Sequence, residues 1–234
     1  MSTTAPSTRS VFIEELFAIV REESTRDPFF DAMRAGQVSR EGIKTWALQA
    51  LQVVREFTRF ISAIHANCPH REAQQLLAEN LWEEHGRGNA ERDHFALIKR
   101  LARSLGAIDE EIGQTEMLPE TSAYIEHCFQ VTRNGSFIEG MTAIGVGIER
   151  FMPVFFGVLA ESLVTHYGLT KTDVEYLLVH VGEDEDHAER SLEIIERYAV
   201  TDDVKMKAKQ ALRDMLHVKR RFADALYARC LNQP

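Results

Sequence analysis

The sequence predicts an all-α protein with a single domain, and three observations support this. Apolar residues recur with the 3.6-residue period of an α-helix along almost the whole chain, and strand-like alternation is nearly absent. The 234 residues are 44% hydrophobic and 27% charged, which suits one globular domain with a sizeable core. Internal repeats, low-complexity segments and linkers are missing from the sequence. We therefore expect a single bundle of seven to eight helices.

The predicted helices follow one another between recognisable ends. Residues 1–10 contain no apolar run and are expected to be a disordered tail, which leaves 11–234 as the domain. Ser39 is a candidate N-cap for a long amphipathic helix. The predicted helical segments are 11–23, 40–66, 71–85, 89–105, about 120 to the sequence RNGS, 137–165, 172–198 and 202–231.

One segment, 141–160, is apolar enough to resemble a membrane-spanning helix. Glu149 and Arg150 lie at its centre, and Pro153 interrupts the pattern. A charged pair in the middle of a membrane span is costly and rare. We therefore interpret this segment as a buried core helix.

Charge and cysteine content limit the classes of partner. The formal net charge is -9, with 36 acidic against 27 basic residues, which argues against nucleic acid or an anionic membrane as the main partner. Cys68, Cys128 and Cys230 form no CxxC pair. Such an odd and sparse set favours reduced thiols, so we expect a cytoplasmic protein.

The stretch VHVGEDEDH, residues 179–187, places unusual chemistry on a helix. At roughly 100° per residue, His180, Asp184 and His187 share one narrow face. Leu177 and Ile194 extend this face, which indicates that it turns inward. Two imidazoles and a carboxylate facing inward cost desolvation energy unless a divalent cation or another partner satisfies them. The alternative is a charged helix edge with one histidine hydrogen-bonded inside the core.

A second set of candidate ligands lies on other helices. Glu91 and His94 have the Glu-x-x-His spacing found in di-iron helix bundles, and Glu84 lies just upstream. Glu149 is a lone acid in an apolar segment, where an unpaired carboxylate would be costly. Its alternative role is an ion pair with Arg150 or another base.

A polar strip that contains Gln49, Gln52 and Glu56 lies beside the apolar face of the 40–66 helix and could line a pocket. For Glu56 alone, a surface ion pair with Arg59 is the simpler interpretation. Nitrogen and oxygen ligands without thiolate suit iron or manganese better than structural zinc. The sequence therefore indicates a metal site built from several helices.

Four stretches together resemble the heme-oxygenase-like di-iron oxidases, a family within the superfamily of the TenA-type thiaminases and the PqqC-type quinone-forming oxidase. The stretches are DPFFDAMRAGQVSREGIKTWALQ, ENLWEEHGRGNAERDH, GIERF and HVGEDEDH. The last is similar to the family motif His-x-x-x-Asp-x-x-His. The resemblance covers most of the chain, and it implies the single-domain heme-oxygenase-like (TenA/PqqC-like) helical fold.

Carried over residue by residue, the resemblance implies six metal ligands. It favours Glu84, although ten residues of straight helix would place Glu84 and His94 about 15 Å apart, so the glycines of GRG would have to bend the chain. Glu91, one turn before His94, needs no bend and stays an alternative. Glu56 is the candidate for a further glutamate that some family members add. The implied ligands are Glu84, His94, Glu149, His180, Asp184 and His187.

The resemblance also implies a function. Members of the family use two iron ions and O2 for N-oxygenation of amines, for oxidative C–C cleavage of fatty or amino acids, and for forming p-aminobenzoate from the protein's own side chains. We therefore expect a non-heme di-iron oxidase or oxygenase with two Fe(II) ions, or manganese in their place. O2, a small organic substrate and an external reductant would complete the reaction. A homodimer is expected for this fold.

Two alternatives stay open. One is a metal-free enzyme of TenA or PqqC type, although AIGVGIERF lacks the nucleophilic cysteine that a TenA-like hydrolase would carry on the buried middle helix. The other is a non-catalytic binding or regulatory protein that acts through its acidic surface. Several aromatic residues either wall a substrate cavity or are simply core, and core is our interpretation for most of them. They are Phe29, Phe30, Trp46, Phe57, Phe151 and Phe155. No basic cluster indicates a pocket for phosphate or carboxylate.

Overall fold

The computed structural model describes residues 10–23 and 28–233, and within these ranges only the backbone of residues 183–186. Eleven α-helices and no strand occur in this described part of the chain, which confirms the all-α class. Except for Ser10, the predicted tail 1–10 lies outside the described residues. The backbone N–H of Ser10 donates to Oε1 of Glu196 at 3.0 Å.

The helices are connected by short turns, three of which have 3-10 or π geometry. A 3-10 turn, Gly86–Gly88, follows the helix that ends at Glu84. A π-helical turn, Thr142–Val146, and a 3-10 turn, Glu149–Phe151, lie between the helices that end at Met141 and begin at Met152. The helices are α1 Val11–Glu23, α2 Pro28–Arg34, α3 Arg40–Asn67, α4 Arg71–Glu84, α5 His94–Ser104, α6 Asp109–Gln114, α7 Pro119–Asn134, α8 Phe137–Met141, α9 Met152–Tyr167, α10 Glu175–Tyr198 and α11 Asp202–Leu231.

The predicted number of seven to eight helices is too low for two reasons. Helices α2 and α6 have about two turns or fewer, so their apolar period is too short to detect. The predicted helix over 137–165 is divided, and α9 starts anew with Pro153 in its first turn, where proline's fixed φ favours a helix start. The other long helices follow their predictions closely, and the Ser39 hydroxyl caps α3 by accepting from the Gly42 N–H at 3.0 Å.

Two apolar clusters form the core, and α3 and α10 run through both. The first cluster contains Ile64 of α3 and Ile194 of α10, together with side chains of α1, α7, α8 and α11. The second contains Trp46 of α3 and Leu177 of α10, together with side chains of α2, α5 and α9. His180 and His187 of α10 therefore lie where the two clusters meet.

One helical stretch in the described chain, Phe137–Tyr167, is long and apolar enough to cross a membrane. However, 56% of its most apolar window is buried inside the protein. Glu149, near its middle, is itself buried. The stretch is packed as a core helix, as the sequence predicted.

Candidate metal centre

Three buried side chains from three helices meet between the apolar clusters. Glu84 is the last residue of α4, His94 is the first residue of α5, and His180 lies in α10. One potential ligand atom of each lies within 4.8 Å of the other two, which is a spacing that a single metal ion can bridge. We call Glu84, His94 and His180 the first ligand group.

A sharp bend brings Glu84 to His94. Gly86, Arg87 and Gly88 have φ values of 66°, 53° and 84°, so the chain turns through left-handed conformations directly after α4. A Cβ at Gly86 would lie 2.5 Å from the Arg92 carbonyl carbon, and only glycine fits there. As a result, Nδ1 of His94 lies 2.9 Å from Oε2 of Glu84 instead of the 15 Å expected of a straight helix.

The alternative ligand Glu91 takes no part in this group. It is exposed in the loop before α5, where its backbone N–H donates to Oδ1 of Asn89 at 3.0 Å. The adjoining Asp93 caps α5 by accepting from the Phe95 N–H at 3.0 Å. The arrangement therefore favours Glu84 over Glu91.

The orientation of His180 is fixed by a contact behind the ring. Its Nδ1 lies 2.6 Å from the backbone oxygen of Tyr176, and because a carbonyl can only accept, Nδ1 carries the proton. Nε2 is then the nitrogen with a lone pair for a metal ion, the usual tautomer of a ligand held in this way. The centroid of the His180 ring lies 4.5 Å from that of the His94 ring and 5.4 Å from that of the Phe156 ring.

Glu149 and His187 lie beside the first group and are equally buried; we call them the second ligand group. Oε1 of Glu149 accepts from Nδ2 of Asn80 at 3.4 Å, and Nε2 of His187 contacts the Glu83 carboxylate. Glu149 interacts electrostatically with both His187 and Glu84. Of the alternative partners suggested for Glu149, Arg150 pairs instead with Glu189 at 3.4 Å, and the basic side chain that interacts with Glu149 is His187.

Gly145 allows the π-helical turn before Glu149 to approach α10. A Cβ on Gly145 would lie 2.5 Å from both Cβ and Oγ of Ser191. No other residue therefore fits at position 145 without moving one of the two segments. π-Helical turns are often found at functional sites, and this one precedes a buried carboxylate.

The two buried glutamates differ in their electrostatics. Burial alone would raise the pKa of Glu84, but the neighbouring imidazoles of His94, His180 and His187 hold that pKa below its ordinary value. Burial raises the pKa of Glu149; His187 and the Asn80 hydrogen bond offset this effect only in part, and the nearby Glu84 carboxylate adds to it. Glu84 is thus stabilised as a carboxylate, whereas Glu149 retains its proton more readily.

Two other predicted ligands have different outcomes. The backbone of Asp184 belongs to α10, but its side chain lies outside the described residues, so its role stays a prediction. Glu56 forms an ion pair with Arg59 on α3 and joins neither ligand group.

Gln49, in the same polar strip, binds the Glu116 carbonyl and the Thr121 hydroxyl, and so anchors the start of α7.

A cavity of about 440 Å³ adjoins both groups, and Glu84, Glu149 and His180 contribute to its wall. Most of the remaining wall is apolar or aromatic. Phe29 lies outside it and stacks on Tyr227 with a centroid distance of 4.4 Å. The other five aromatic residues that we interpreted mainly as core line the cavity: Phe30, Trp46, Phe57, Phe151 and Phe155.

Sequence reasoning missed several residues around the site. Asn80 lies one turn before Glu84, and this i, i+4 spacing on one helix was the available signal. Lys219 lines the cavity but stands in HVKRRF, an ordinary charged stretch of an amphipathic helix. No pattern within α11 distinguishes Lys219 from the basic residues that follow it.

The donor chemistry of the two groups fits iron. Three imidazoles and two carboxylates, all buried, supply nitrogen and oxygen ligands. None of the cysteines belongs to either group, and a set without thiolate suits iron or manganese. The carboxylates supply the negative charge that a buried divalent cation requires.

Comparisons with solved structures identify the fold. A TenA homologue from Pseudomonas syringae pv. tomato superimposes with a TM-score of 0.82, covering 100% of this chain and 99% of that one at 17% identity. A CADD-like protein from Nostoc punctiforme superimposes with a TM-score of 0.75, covering 94% and 97% at 16% identity. The bundle therefore has the heme-oxygenase-like, TenA/PqqC-like fold, as the sequence resemblance implied.

Sequence comparisons identify the family. A 4-aminobenzoate synthase from Nitrosomonas europaea is 30% identical over 230 residues, which cover 93% of this chain and 89% of the relative. A pyrroloquinoline-quinone synthase from Pseudomonas entomophila is 23% identical, covering 100% of this chain and 93% of the relative. Residues 44–219 match the family described as iron-containing redox enzymes. The chain that carries these buried nitrogen and oxygen donors therefore belongs to the iron-containing redox enzyme family.

Proposed function

We propose that this protein is a non-heme di-iron oxidase or oxygenase that uses O2 to oxidise a small organic substrate. The observation that supports this proposal most directly is the position of the two ligand groups. Glu84 and His180 of the first group and Glu149 of the second line the same cavity, which is large enough for a small molecule. Substrate and metal ions would therefore share one cavity.

Iron held by Glu84, His94, His180, Glu149 and His187 would activate O2 and accept or supply electrons. The chain itself orients the ligands. The Tyr176 carbonyl keeps the proton of His180 on Nδ1. Asn80 orients the Glu149 carboxylate through its amide. The largely apolar and aromatic wall favours a substrate with an apolar body.

The proposed reactions are N-oxygenation of an amine or oxidative C–C cleavage of a substrate of the amino acid or fatty acid type. An external reductant would supply the electrons that O2 requires beyond those of the substrate. We also propose a cytoplasmic location and a homodimer. Manganese in place of iron is compatible with the same donors.

Formation of 4-aminobenzoate is a second candidate function. It is favoured by the 30% identity, over nearly the whole chain, to the enzyme named for that product. Three tyrosines, Tyr124, Tyr176 and Tyr227, also line the cavity and carry para-substituted rings. If this candidate is correct, iron-loaded protein exposed to O2 and reductant without added substrate should release 4-aminobenzoate, which chromatography with mass spectrometry detects.

Metal content tests the main proposal. We expect anaerobic loading with Fe(II) to give close to two iron ions per chain, and subsequent exposure to O2 and a reductant to give O2 consumption in proportion to bound iron. Glu91→Gln is a matched control because Glu91 is an exposed acid outside both groups, and it should change neither quantity. Failure of the wild-type protein to bind iron would instead favour a metal-free enzyme or a non-catalytic protein.

A further inference from the structure

Three cationic side chains contribute to the cavity wall in the described structure, and only two of them have an acidic partner. Arg150 pairs with Glu189 at 3.4 Å, and Nε of Arg220 donates to Asp224 at 2.9 Å. Lys219 has no carboxylate partner among the described residues. Its Nζ donates to the Gly147 backbone oxygen at 2.9 Å and lies 4.1 Å from the centroid of the Phe151 ring.

This environment leaves the Lys219 ammonium short of partners. An ammonium group has three N–H donors, and one carbonyl oxygen satisfies only one of them. Burial of the group lowers the pKa of Lys219 to about 7, since desolvation disfavours its charged form. An anion beside Nζ would accept the remaining hydrogen bonds and restore the charged form.

The other walls of the cavity define the rest of a ligand. Val53, Phe57, Phe151 and Phe222 are among the apolar and aromatic side chains that line it, and the volume of about 440 Å³ suits a small molecule. Lys219 and the ligand groups open onto the same space. A ligand with one anionic end and an apolar body would therefore match both the charge and the shape of the wall.

We propose that Lys219 is the carboxylate-binding residue of the substrate site, and that the substrate is a small monocarboxylic acid with an apolar or aromatic body. The carboxylate binds Nζ of Lys219 and not the metal, so that the body faces the ligand groups. This orientation rests on the proposed oxidase function, whereas the carboxylate site itself does not. The sequence shows no basic cluster, so the proposed carboxylate site depends on this single lysine.

Binding without turnover tests this proposal. Isothermal titration calorimetry would compare octanoate with octanamide, and 3-phenylpropanoate with 3-phenylpropanamide, on the full chain with and without Fe(II) under anaerobic conditions. We expect each acid to bind at least about tenfold more tightly than its amide, as for a charge-assisted hydrogen bond. Lys219→Gln should reduce this preference to less than about twofold and leave amide affinity unchanged, because glutamine still donates to the Gly147 carbonyl.

Arg220→Gln is the matched control, since Arg220 adjoins Lys219, lines the same cavity and already has Asp224 as a partner. It should keep the acid preference. Lys219→Met, which preserves the apolar stem over Phe151, provides a second variant should Lys219→Gln fail to fold.

The proposal is overturned if the wild-type protein binds acid and amide equally or binds none of the probes. It is also overturned if Lys219→Gln retains the preference, or if the preference requires Fe(II), which would place the carboxylate on the metal. The wild-type protein could bind no iron yet prefer the acids, and Lys219→Gln could lose that preference. This result would support the carboxylate site and contradict the oxidase function.

Discussion

The two ligand groups are assembled in different ways. In the first group, donors of Glu84, His94 and His180 already lie within 4.8 Å of one another. In the second, Nε2 of His187 contacts the Glu83 carboxylate, and Glu149 is held by Asn80. In the first group an ion would replace the contact between two of its own ligands, His94 and Glu84, whereas in the second it must displace Glu83, which belongs to neither group. We therefore expect the first iron to bind more tightly than the second.

The backbone segments that carry the two ligand groups also differ. The first group stands at the ends of α4 and α5, which a glycine-rich bend joins, and on the regular helix α10. Glu149 instead lies in the irregular segment between a π-helical and a 3-10 turn, and Gly145 leaves no spare room against Ser191. Irregular segments at sites provide positions that can adjust when a ligand binds.

The largest expected effect is the loss of a donor from the first group. Removal of a partner behind a metal ligand alone costs roughly 10–100-fold in affinity. We therefore expect Glu84→Ala to weaken the tighter iron by more than about 100-fold and to abolish O2 consumption. Iron per chain after gel filtration and an Fe(II) titration would measure this change.

Glu91→Ala is the control for Glu84→Ala, because it removes an exposed carboxylate from the loop that follows. It should bind iron as the wild-type protein does. If Glu91→Ala lost iron and Glu84→Ala did not, the ligand would be Glu91, and the bend at Gly86–Gly88 would have another purpose.

An intermediate effect is expected from the second group. His187→Ala should leave close to one iron per chain, since the first group does not include His187. The helical content should change little, because the substitution removes one buried ring without interrupting α10. Metal analysis together with circular dichroism would measure both quantities. Loss of both irons would show that the two groups are not independent.

The contrast between the two groups also explains how much of the site could be predicted from sequence. The helical period of α10 was enough to place His180 and His187 on one inward face, because Leu177 and Ile194 mark that face as buried. Likewise, Glu149 was conspicuous as a lone acid in an apolar segment. Regular helix and simple burial carry these predictions.

The remaining features depend on tertiary structure. The left-handed residues at Gly86–Gly88 could be suspected from the glycines, but the close approach of Gly86 to the Arg92 backbone could not. The irregular turns between α8 and α9 have no period that a sequence pattern could detect. Lys219 became significant only because α11 directs it to the cavity while the described structure provides it with no acidic partner.

The smallest expected effect concerns the stability of the iron-free protein, where the two glutamates should respond in opposite directions. The folded-state pKa of Glu149 is raised, so its contribution to stability is complete below the ordinary carboxyl pKa and is lost as pH rises through the folded value. Glu149→Gln avoids that loss and should raise the melting temperature at pH 7.5. The folded-state pKa of Glu84 is lowered, so its contribution to stability is present above the ordinary carboxyl pKa and is lost as pH falls through the folded-state pKa. Glu84→Gln should therefore lower the melting temperature at pH 7.5. Melting curves at pH 7.5 and about pH 4 would measure how far each variant's melting temperature differs from that of the wild-type protein. Both differences should shrink at the lower pH. Shifts of the same sign in the two variants at pH 7.5 would contradict the electrostatic distinction between Glu84 and Glu149.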